Sequence, residues 1–115
     1  MILCHCDMCR QATGSPLPGF ISVAAARVTW SGQPAVYRSS SIAERGFCPT
    51  CGTPLFYRAD GSDTIGLTAG SARIAFHPTA AYYSAERAPW LHPLDALPER
   101  AFAPAKDGVR RTARD

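Results

Sequence analysis

The sequence lacks the features that would assign it to a membrane or to a secretory route. No stretch of its 115 residues approaches the roughly 18 consecutive apolar residues that a membrane-spanning helix requires. The N-terminus shows no basic region followed by an apolar stretch and a cleavage site, so no secretory signal is recognised. We therefore expect a cytoplasmic protein without a membrane partner. In that reducing compartment, clustered cysteines more often bind metal or act in catalysis than form disulfides.

The chain also lacks a concentration of positive charge in its body. Up to Ala105, eight arginines are matched by seven acidic residues, and the arginines are scattered. Residues 106–115 add four basic residues and two acidic ones. Nucleic-acid binders normally concentrate Lys and Arg on one surface, so we expect no nucleic-acid partner. We expect residues 1–104 to form a single domain and residues 105–115 to form a basic, flexible tail.

Sustained 3.6-residue periodicity is absent as well, so long amphipathic helices are not expected. Ten prolines and nine glycines divide the chain into short segments that are rich in β-branched and aromatic residues. The predicted strands are residues 20–23, 27–30, 36–39, 54–58, 64–68 and 81–83. Residues 31–34 and 59–63 are predicted hairpin connections, and residues 9–14 and 94–97 can form helical turns. The sequence therefore predicts a mainly β domain.

Five cysteines are present, and they fall into two tight clusters. The first cluster is Cys4-His5-Cys6-Asp7-Met8-Cys9 and the second is Cys48-Pro49-Thr50-Cys51-Gly52. Within each cluster, two or three sulfurs can turn towards one point. Cysteine clusters from distant parts of a chain are the usual means of building a tetrahedral zinc site. We therefore predict bound zinc, and the candidate ligands are Cys4, Cys6, Cys9, Cys48 and Cys51.

The second cluster has an alternative interpretation as a redox dithiol. Redox C-x-x-C pairs normally lie at a helix N-terminus within a βαβ unit, and no such setting is predicted around Cys48 and Cys51. Gly52 directly follows the second cysteine and suits a metal-binding turn, because glycine adopts a positive φ at little cost. The pattern therefore favours metal binding over redox chemistry.

Several residues near the clusters have competing interpretations. His5 lies between two predicted ligands, but in an extended stretch its side chain should point away from them. Arg45, three residues before Cys48, is either an anion-binding group near the metal or a solvated strand arginine, and its spacing alone favours the second. The larger aromatic side chains are expected to fill the core or cover a sheet face, namely Trp30, Trp90, Tyr82 and Tyr83.

The motifs follow one another in a recognisable order: Cys4-His5-Cys6-x-x-Cys9-Arg10, Gly14, Arg45-x-Phe47-Cys48-x-x-Cys51-Gly52-Thr53-Pro54-Leu55, Arg87-Ala88-Pro89-Trp90 and Leu97-Pro98. This order resembles that of the glutathione-dependent formaldehyde-activating enzyme family, also called the Gfa-like or centromere-protein-V-like family. The resemblance covers nearly the whole chain, and the two cysteine blocks are its most specific part.

The resemblance implies the Mss4-like fold, in which antiparallel sheets fold over one another like a tent and are held at one end by zinc. It also implies a carbon–sulfur lyase that forms and breaks down S-hydroxymethylglutathione. In the family, a C-x-C-x-x-C block binds a zinc with an open position, so the resemblance makes Cys4, Cys6 and Cys9 the candidate catalytic residues. Cys48 and Cys51 match half of a separate structural zinc site.

Two features depart from the family pattern. The C-x-C pair that completes the structural zinc site, expected well before Cys4, is absent, which suggests a gene start assigned too late or a naturally short form. The position nine residues before Trp90 is commonly histidine in the family and is Ala81 in this chain. Both departures weaken the transfer of the family's activity.

The missing pair affects the expected ligand arrangement, because two cysteines cannot fill a tetrahedral shell. We expect one zinc shared between the clusters, with Cys4 as a nearby spare thiol and with the ligands Cys6, Cys9, Cys48 and Cys51. The alternative is a three-plus-two arrangement with two zincs, each of which would need water or substrate to complete its shell.

The expected partner is a small thiol such as glutathione, whose sulfur would bind the zinc; the oligomeric state is left open. Arg10 and Arg45 are candidate partners for the glutathione carboxylates, since a guanidinium group matches a carboxylate in a bidentate manner. The alternative function is a non-catalytic, zinc-stapled β module that binds a protein or a small thiol ligand. A closed four-sulfur site would favour that alternative.

Overall fold

The structure, a computed structural model, describes residues 1–99. Within this range there are seven strands and two short α-helices: β1 (Ile2–Cys4), α1 (Asp7–Thr13), β2 (Gly19–Ala24), β3 (Ala35–Arg38), β4 (Ala43–Phe47), β5 (Pro54–Ala59), β6 (Thr64–Thr68), α2 (Ala69–Ala72) and β7 (Ala80–Tyr82). Single 3₁₀ turns occur at Ala25–Arg27, Ser84–Glu86, Pro89–Leu91 and Leu94–Ala96. The prediction of a mainly β domain is confirmed. The predicted tail and the domain boundary after residue 104 lie outside the described residues.

All seven strands of the described chain belong to one hydrogen-bonded sheet, in the order β3-β4-β5-β6-β2-β1-β7. Neighbouring strands are antiparallel except for β1 and β7, which pair in parallel. The sheet is therefore mixed, whereas the resemblance implied antiparallel pairing throughout. Because β1 lies between β2 and β7, the first cysteine cluster begins inside the sheet.

Most predicted strands are found, but residues 27–30 form none. Ala25–Arg27 is a 3₁₀ turn, and the ring of Trp30 packs on that of Phe56 with 5.5 Å between centroids. Residues 31–34 therefore do not connect a hairpin, whereas residues 59–63 do connect β5 to β6. The predicted helical turns at residues 9–14 and 94–97 correspond to α1 and to the last 3₁₀ turn.

Strand β4 was not predicted, because its residues have low strand propensity. Alanine, glutamate and glycine are poor strand formers, and they occupy three of its five positions. Pairing with β3 on one side and β5 on the other compensates for this. At Gly46 the ring of Phe56 occupies the space that a Cβ atom would need, so the absence of a side chain allows the close packing of β4 on β5.

The core next to the first cysteine cluster is built partly from the cysteines themselves. Cys4, Cys9 and Phe20 form a buried cluster, against which Ile2, Cys6 and Tyr57 pack. The large aromatic residues were expected to fill the core or to cover a sheet face, and the core alternative is excluded for three of them, because Tyr82, Tyr83 and Trp90 are more than half exposed. Residues 1–99 contain no helix of the length and apolarity needed to span a membrane.

Candidate metal centre

Helix α1 fixes the relative positions of Cys6 and Cys9. Cys6 is the N-cap of the helix, and its sulfur accepts a hydrogen bond of 3.3 Å from the Cys9 backbone N–H. At the other end Gly14 adopts φ +69°, and its N–H donates to the Arg10 carbonyl. This left-handed residue ends the helix in the usual way. A helix closed at both ends therefore holds two thiols three residues apart on the same side.

Strand β1 brings the third thiol to the same place. Cys4 is its last residue, it pairs with Tyr82 in β7, and its N–H donates to the Pro18 carbonyl at 3.0 Å. The sulfurs of Cys4, Cys6 and Cys9 all lie within 4.8 Å of one another. Ligand sulfurs of a tetrahedral zinc would lie about 3.8 Å apart, given Zn–S bonds of about 2.3 Å. The three cysteines could therefore hold a metal ion with little rearrangement, and three soft sulfur donors suit zinc.

The ionisation of the three thiols depends on their burial and on their mutual contacts. Burial raises the pKa of the Cys4 thiol to about 12, and contacts with the other two sulfurs contribute to this shift. Burial also raises the pKa of Cys9, although Arg45 opposes the effect. Burial acts against ionisation of Cys6 too, but hydrogen bonds from the Cys9 N–H and from the neighbouring thiols outweigh it and lower its pKa. A metal ion must displace these protons, so its affinity should fall as the pH falls.

Arg45 is the charged side chain most closely associated with the cluster. It is only 5% exposed, which contradicts the interpretation as a solvated strand arginine. Its Nη2 donates to Cys9 Sγ at 3.3 Å, and its guanidinium carbon lies 5.0 Å from the centroid of the Tyr57 ring. Its Nε is buried and has no hydrogen-bond partner. A buried guanidinium needs an anion close by, and the Cys9 sulfur is placed to provide one.

The structure positions the other predicted carboxylate partner, Arg10, differently. Its Nε donates to the His5 carbonyl at 3.1 Å, and its Nη2 lies 3.6 Å from an Asp7 carboxylate oxygen. His5 itself is buried, and its Nδ1 has no partner, but it is not part of the described metal-ligating group. The prediction that His5 points away from the other ligands agrees with this placement.

The second cysteine cluster forms a separate turn between β4 and β5. The Cys48 N–H donates to the Thr53 carbonyl at 2.9 Å, and the Gly52 N–H donates to the Cys48 carbonyl at 2.8 Å. Gly52 has φ +77°, as its place in the motif predicts. Cys51 Sγ lies 3.0 Å from Thr53 Oγ1, within hydrogen-bonding distance. This compact turn keeps both of its cysteines together at the end of the hairpin.

In the described residues, the two clusters do not form one metal-ligating group. Within residues 1–99, the metal-ligating group that includes Cys6 and Cys9 has Cys4 as its third member, and neither Cys48 nor Cys51 belongs to it. This grouping includes Cys4 and favours a three-sulfur centre, whereas one zinc shared by both clusters, with Cys4 spare, stays a prediction that the zinc content tests. Local geometry explains the difference, since β1 and α1 complete a three-sulfur group without help from the hairpin.

A cavity of about 600 Å³ opens beside the first cluster. Its lining includes all three clustered cysteines and Arg45, but not Arg10. Four further residues shape this cavity near the sulfurs, namely Tyr57, Tyr82, Tyr83 and Glu86. Tyr82 and Tyr83 were predicted to fill the core or cover a sheet face, and no motif marked Tyr57 or Glu86 as site residues. The sequence shows the two tyrosines as neighbours. Their exposed fraction in the structure distinguishes a cavity wall from a core position.

Comparison with known proteins agrees with these observations. The family model described as glutathione-dependent formaldehyde-activating enzyme matches residues 1–86, which include both cysteine clusters and all seven strands of the described residues. The chain belongs to this family. The family resemblance that the sequence motifs indicated is thus confirmed.

A curated relative of this chain is an uncharacterized lyase of Schizosaccharomyces pombe. It is 41% identical over 54 residues, which are 47% of this chain and 39% of the relative. The alignment thus spans about two fifths of the relative's length. That relative's name calls it a lyase and gives neither its substrate nor its mechanism.

Proposed function

We propose that this protein is a zinc-dependent carbon–sulfur lyase that forms and breaks the bond between a small thiol and an aldehyde carbon. Glutathione and formaldehyde, which the family's description names, are the first pair to test. The observation that most supports this proposal is that three buried or half-buried sulfurs form one group at the wall of an open cavity. A reaction that requires free thiols also suits a reducing compartment such as the cytoplasm.

The number of sulfurs in the group distinguishes a catalytic site from a structural one. Catalytic zinc sites typically use three protein ligands and leave the fourth position to water or substrate, whereas structural sites use four. Cys4, Cys6 and Cys9 supply three. Zinc bound there would lower the pKa of a substrate thiol and act as a Lewis acid on an aldehyde oxygen.

The proposed reaction is an addition of a thiol to a carbonyl group, and its atoms and electrons balance without a further reactant. In the forward direction the thiol sulfur attacks the aldehyde carbon, a C–S bond forms, and the carbonyl π bond breaks. The oxygen takes up the proton that the thiol loses, and the product is an S-hydroxyalkyl thioether. The reverse direction returns the thiol and the aldehyde. The reaction needs no oxidant or reductant.

We assign Arg45 the role of balancing negative charge on the ligand sulfurs. Three thiolates and a divalent cation leave one net negative charge, and a thiolate substrate would add another. The Arg45 guanidinium, buried and donating to Cys9 Sγ, offsets part of this charge. This role differs from the predicted contact with a glutathione carboxylate, because its Nε is buried and its Nη2 already faces a sulfur.

The test follows the exchange between formaldehyde, glutathione and their adduct by NMR, with a catalytic amount of protein. We expect zinc-loaded protein to accelerate the exchange above the buffer rate. Chelation should remove the acceleration, and reloading with zinc should restore it. No acceleration by protein whose zinc content has been measured would contradict the proposal and would leave the non-catalytic, zinc-stapled module as the better explanation.

A further inference from the structure

A carboxylate in the cavity lining is held by a backbone hydrogen bond next to the cysteine-bearing helix. We propose that Glu86 is the proton acceptor of the reaction: it takes the proton from the substrate thiol as the C–S bond forms and returns it to the former carbonyl oxygen. This proposal rests on the proposed function and adds a catalytic residue to it. It leaves the metal ligands and the identity of the thiol as they are.

Glu86 is held at the N-terminal end of helix α1. Its Oε1 accepts a hydrogen bond of 3.2 Å from the N–H of Asp7, the residue directly after Cys6. This contact joins positions that are 79 residues apart, so the fold and not the local sequence creates it. Glu86 lines the same cavity as the three clustered cysteines. Since Oε1 already accepts the backbone hydrogen bond, we assign the transferred proton to Oε2.

Strand β7 and the turn after it bring Glu86 to this place. β7 pairs in parallel with β1, which ends at Cys4. Tyr83 follows β7 with φ +57°, a conformation that is uncommon for a residue other than glycine. The Glu86 N–H donates to the Tyr83 carbonyl at 3.0 Å and closes the 3₁₀ turn Ser84–Glu86. The strand that flanks the first cysteine therefore also fixes the backbone that carries the carboxylate.

Glu86 lies beside the three-sulfur group and is not a member of it. In the described chain, the ligand atoms that lie within 4.8 Å of one another come from Cys4, Cys6 and Cys9. Burial and the negative charge of Glu86 both act upwards on the pKa of Cys6, although hydrogen bonds lower it overall. The carboxylate is thus within electrostatic reach of that sulfur. This position suits proton transfer with a ligand that enters the cavity better than it suits metal coordination.

The other charged groups of the described lining are less suited to accept a proton. The Asp7 carboxylate lies 3.6 Å from Arg10 Nη2, and its side chain is 76% exposed. Arg45 and the α-ammonium group of Met1 are cations that already carry their protons. Glu86 is therefore the best-placed acceptor, because its carboxylate is oriented by the helix that also orients two of the thiols.

The charge of the loaded centre favours retention of the proton by Glu86. Three thiolates and a divalent cation leave one net negative charge, and a substrate thiolate adds another. Nearby negative charge stabilises the protonated form of a carboxylic acid. In the forward direction the S–H bond breaks, Glu86 holds the proton, the C–S bond forms and the carbonyl π bond breaks. Glu86 then gives the proton to the oxygen and returns to its starting state.

A count of released protons tests this role without reference to the reaction rate. Glutathione is titrated into zinc-loaded protein by calorimetry, in two buffers that differ in their enthalpy of ionisation. Near pH 7 a free thiol is protonated, so its ionisation in the site either releases a proton to the buffer or leaves it on an acceptor. We expect Glu86→Gln to release about one proton per thiol bound and the unmodified protein to release clearly less.

The NMR exchange assay tests the same role during catalysis. Glu86→Gln should lower the catalysed rate about 100-fold, at the lower end of the range that is typical of a general base. Its amide oxygen can still accept from the Asp7 N–H, so the fold and the zinc affinity should be kept. Formate should restore part of the rate of Glu86→Ala. The matched control is Asp7→Asn, which removes the other carboxylate of the described lining and should change the rate little.

The outcomes distinguish this proposal from the proposed function. If Glu86→Gln and the unmodified protein release equal numbers of protons, or exchange at equal rates, Glu86 is not the acceptor, and the lyase function stands as long as the unmodified protein accelerates exchange. If Glu86→Gln loses zinc affinity, Glu86 supports the metal site and the proton-transfer role is wrong. If the unmodified, zinc-loaded protein does not accelerate exchange, the proposed function fails and the role of Glu86 fails with it.

Discussion

Replacing Cys9 by serine is expected to abolish zinc binding at the first cluster. Cys9 is the buried member of the group on helix α1, and its sulfur faces both the other thiols and Arg45. A serine hydroxyl does not replace a thiolate as a zinc ligand. Loss of a direct ligand should exceed the 10- to 100-fold decrease that is typical for loss of a surrounding partner. Competition with a chromophoric chelator measures the affinity.

The control for this variant is Cys51→Ser. Cys51 lies in the turn of the second cluster, outside the three-sulfur group of the described chain. We expect the first cluster of this variant to bind zinc with its normal affinity, even if a metal at the hairpin turn is lost. Equal losses in both variants would indicate one site that needs both clusters and would contradict an independent three-sulfur centre.

Replacing Arg45 by methionine is expected to have opposite effects on zinc affinity and on the stability of the metal-free protein. With zinc bound, loss of the guanidinium leaves the thiolate charge uncompensated, so affinity should fall by about 10- to 100-fold. Without zinc, Cys9 has a raised pKa, and the buried charge of Arg45 lacks a full counterion. An apolar side chain of similar length should then be neutral or stabilising. Chelator competition and urea unfolding measure the two quantities.

Two further variants distinguish a role of Arg45 in charge compensation from a role in packing. Arg45→Lys keeps the charge and should recover part of the zinc affinity, although it lacks the planar group that donates to sulfur and lies over Tyr57. Arg58→Met, in β5, removes a guanidinium that donates to the Ser62 carbonyl and should leave zinc affinity unchanged. If Arg45→Met destabilises the metal-free protein and leaves zinc affinity unchanged, Arg45 is a packing residue and the assigned role is wrong.

The three-sulfur group could be predicted from the sequence because its geometry is mostly local. The first and third cysteines of C-x-C-x-x-C lie only five residues apart, and one helix turn with its N-cap holds two of them. The position of Arg45 could not be predicted in the same way. It meets Cys9 across 36 residues of sequence, and this contact depends on how β4 packs near α1. Spacing along the chain carries no information on that distance.

The three-sulfur group differs from the predicted shared site for a related reason. Counting sulfurs suggested that four of five should share one metal, since a tetrahedral shell needs four ligands. The fold places Cys4 at the end of β1, beside helix α1, and this completes a local group of three before the hairpin can contribute. Ligand number restricts the possible sites, but the topology of the sheet decides which cysteines meet.

The fold itself was predictable where strand propensity and turn residues agree, as in β2, β5 and β6. It was not predictable where pairing partners override propensity, as in β4, or where a tryptophan packs on a neighbouring ring, as at residues 27–30. The cavity wall was missed because the pattern around Tyr82 and Tyr83 suits a core or a sheet face equally well. Only the structure shows that they are exposed next to the cysteines.

X-ray absorption at the zinc edge tests the central claim most directly. The measurement uses zinc-loaded protein that carries Cys48→Ser and Cys51→Ser, so that only the first cluster supplies cysteine ligands. The account predicts three sulfurs at about 2.3 Å and one oxygen or nitrogen at about 2.0 Å, with the light atom replaced by a fourth sulfur when a thiol is added. Failure of this variant to bind zinc, or a shell that does not change when thiol is added, would contradict the claim of an open three-thiolate centre.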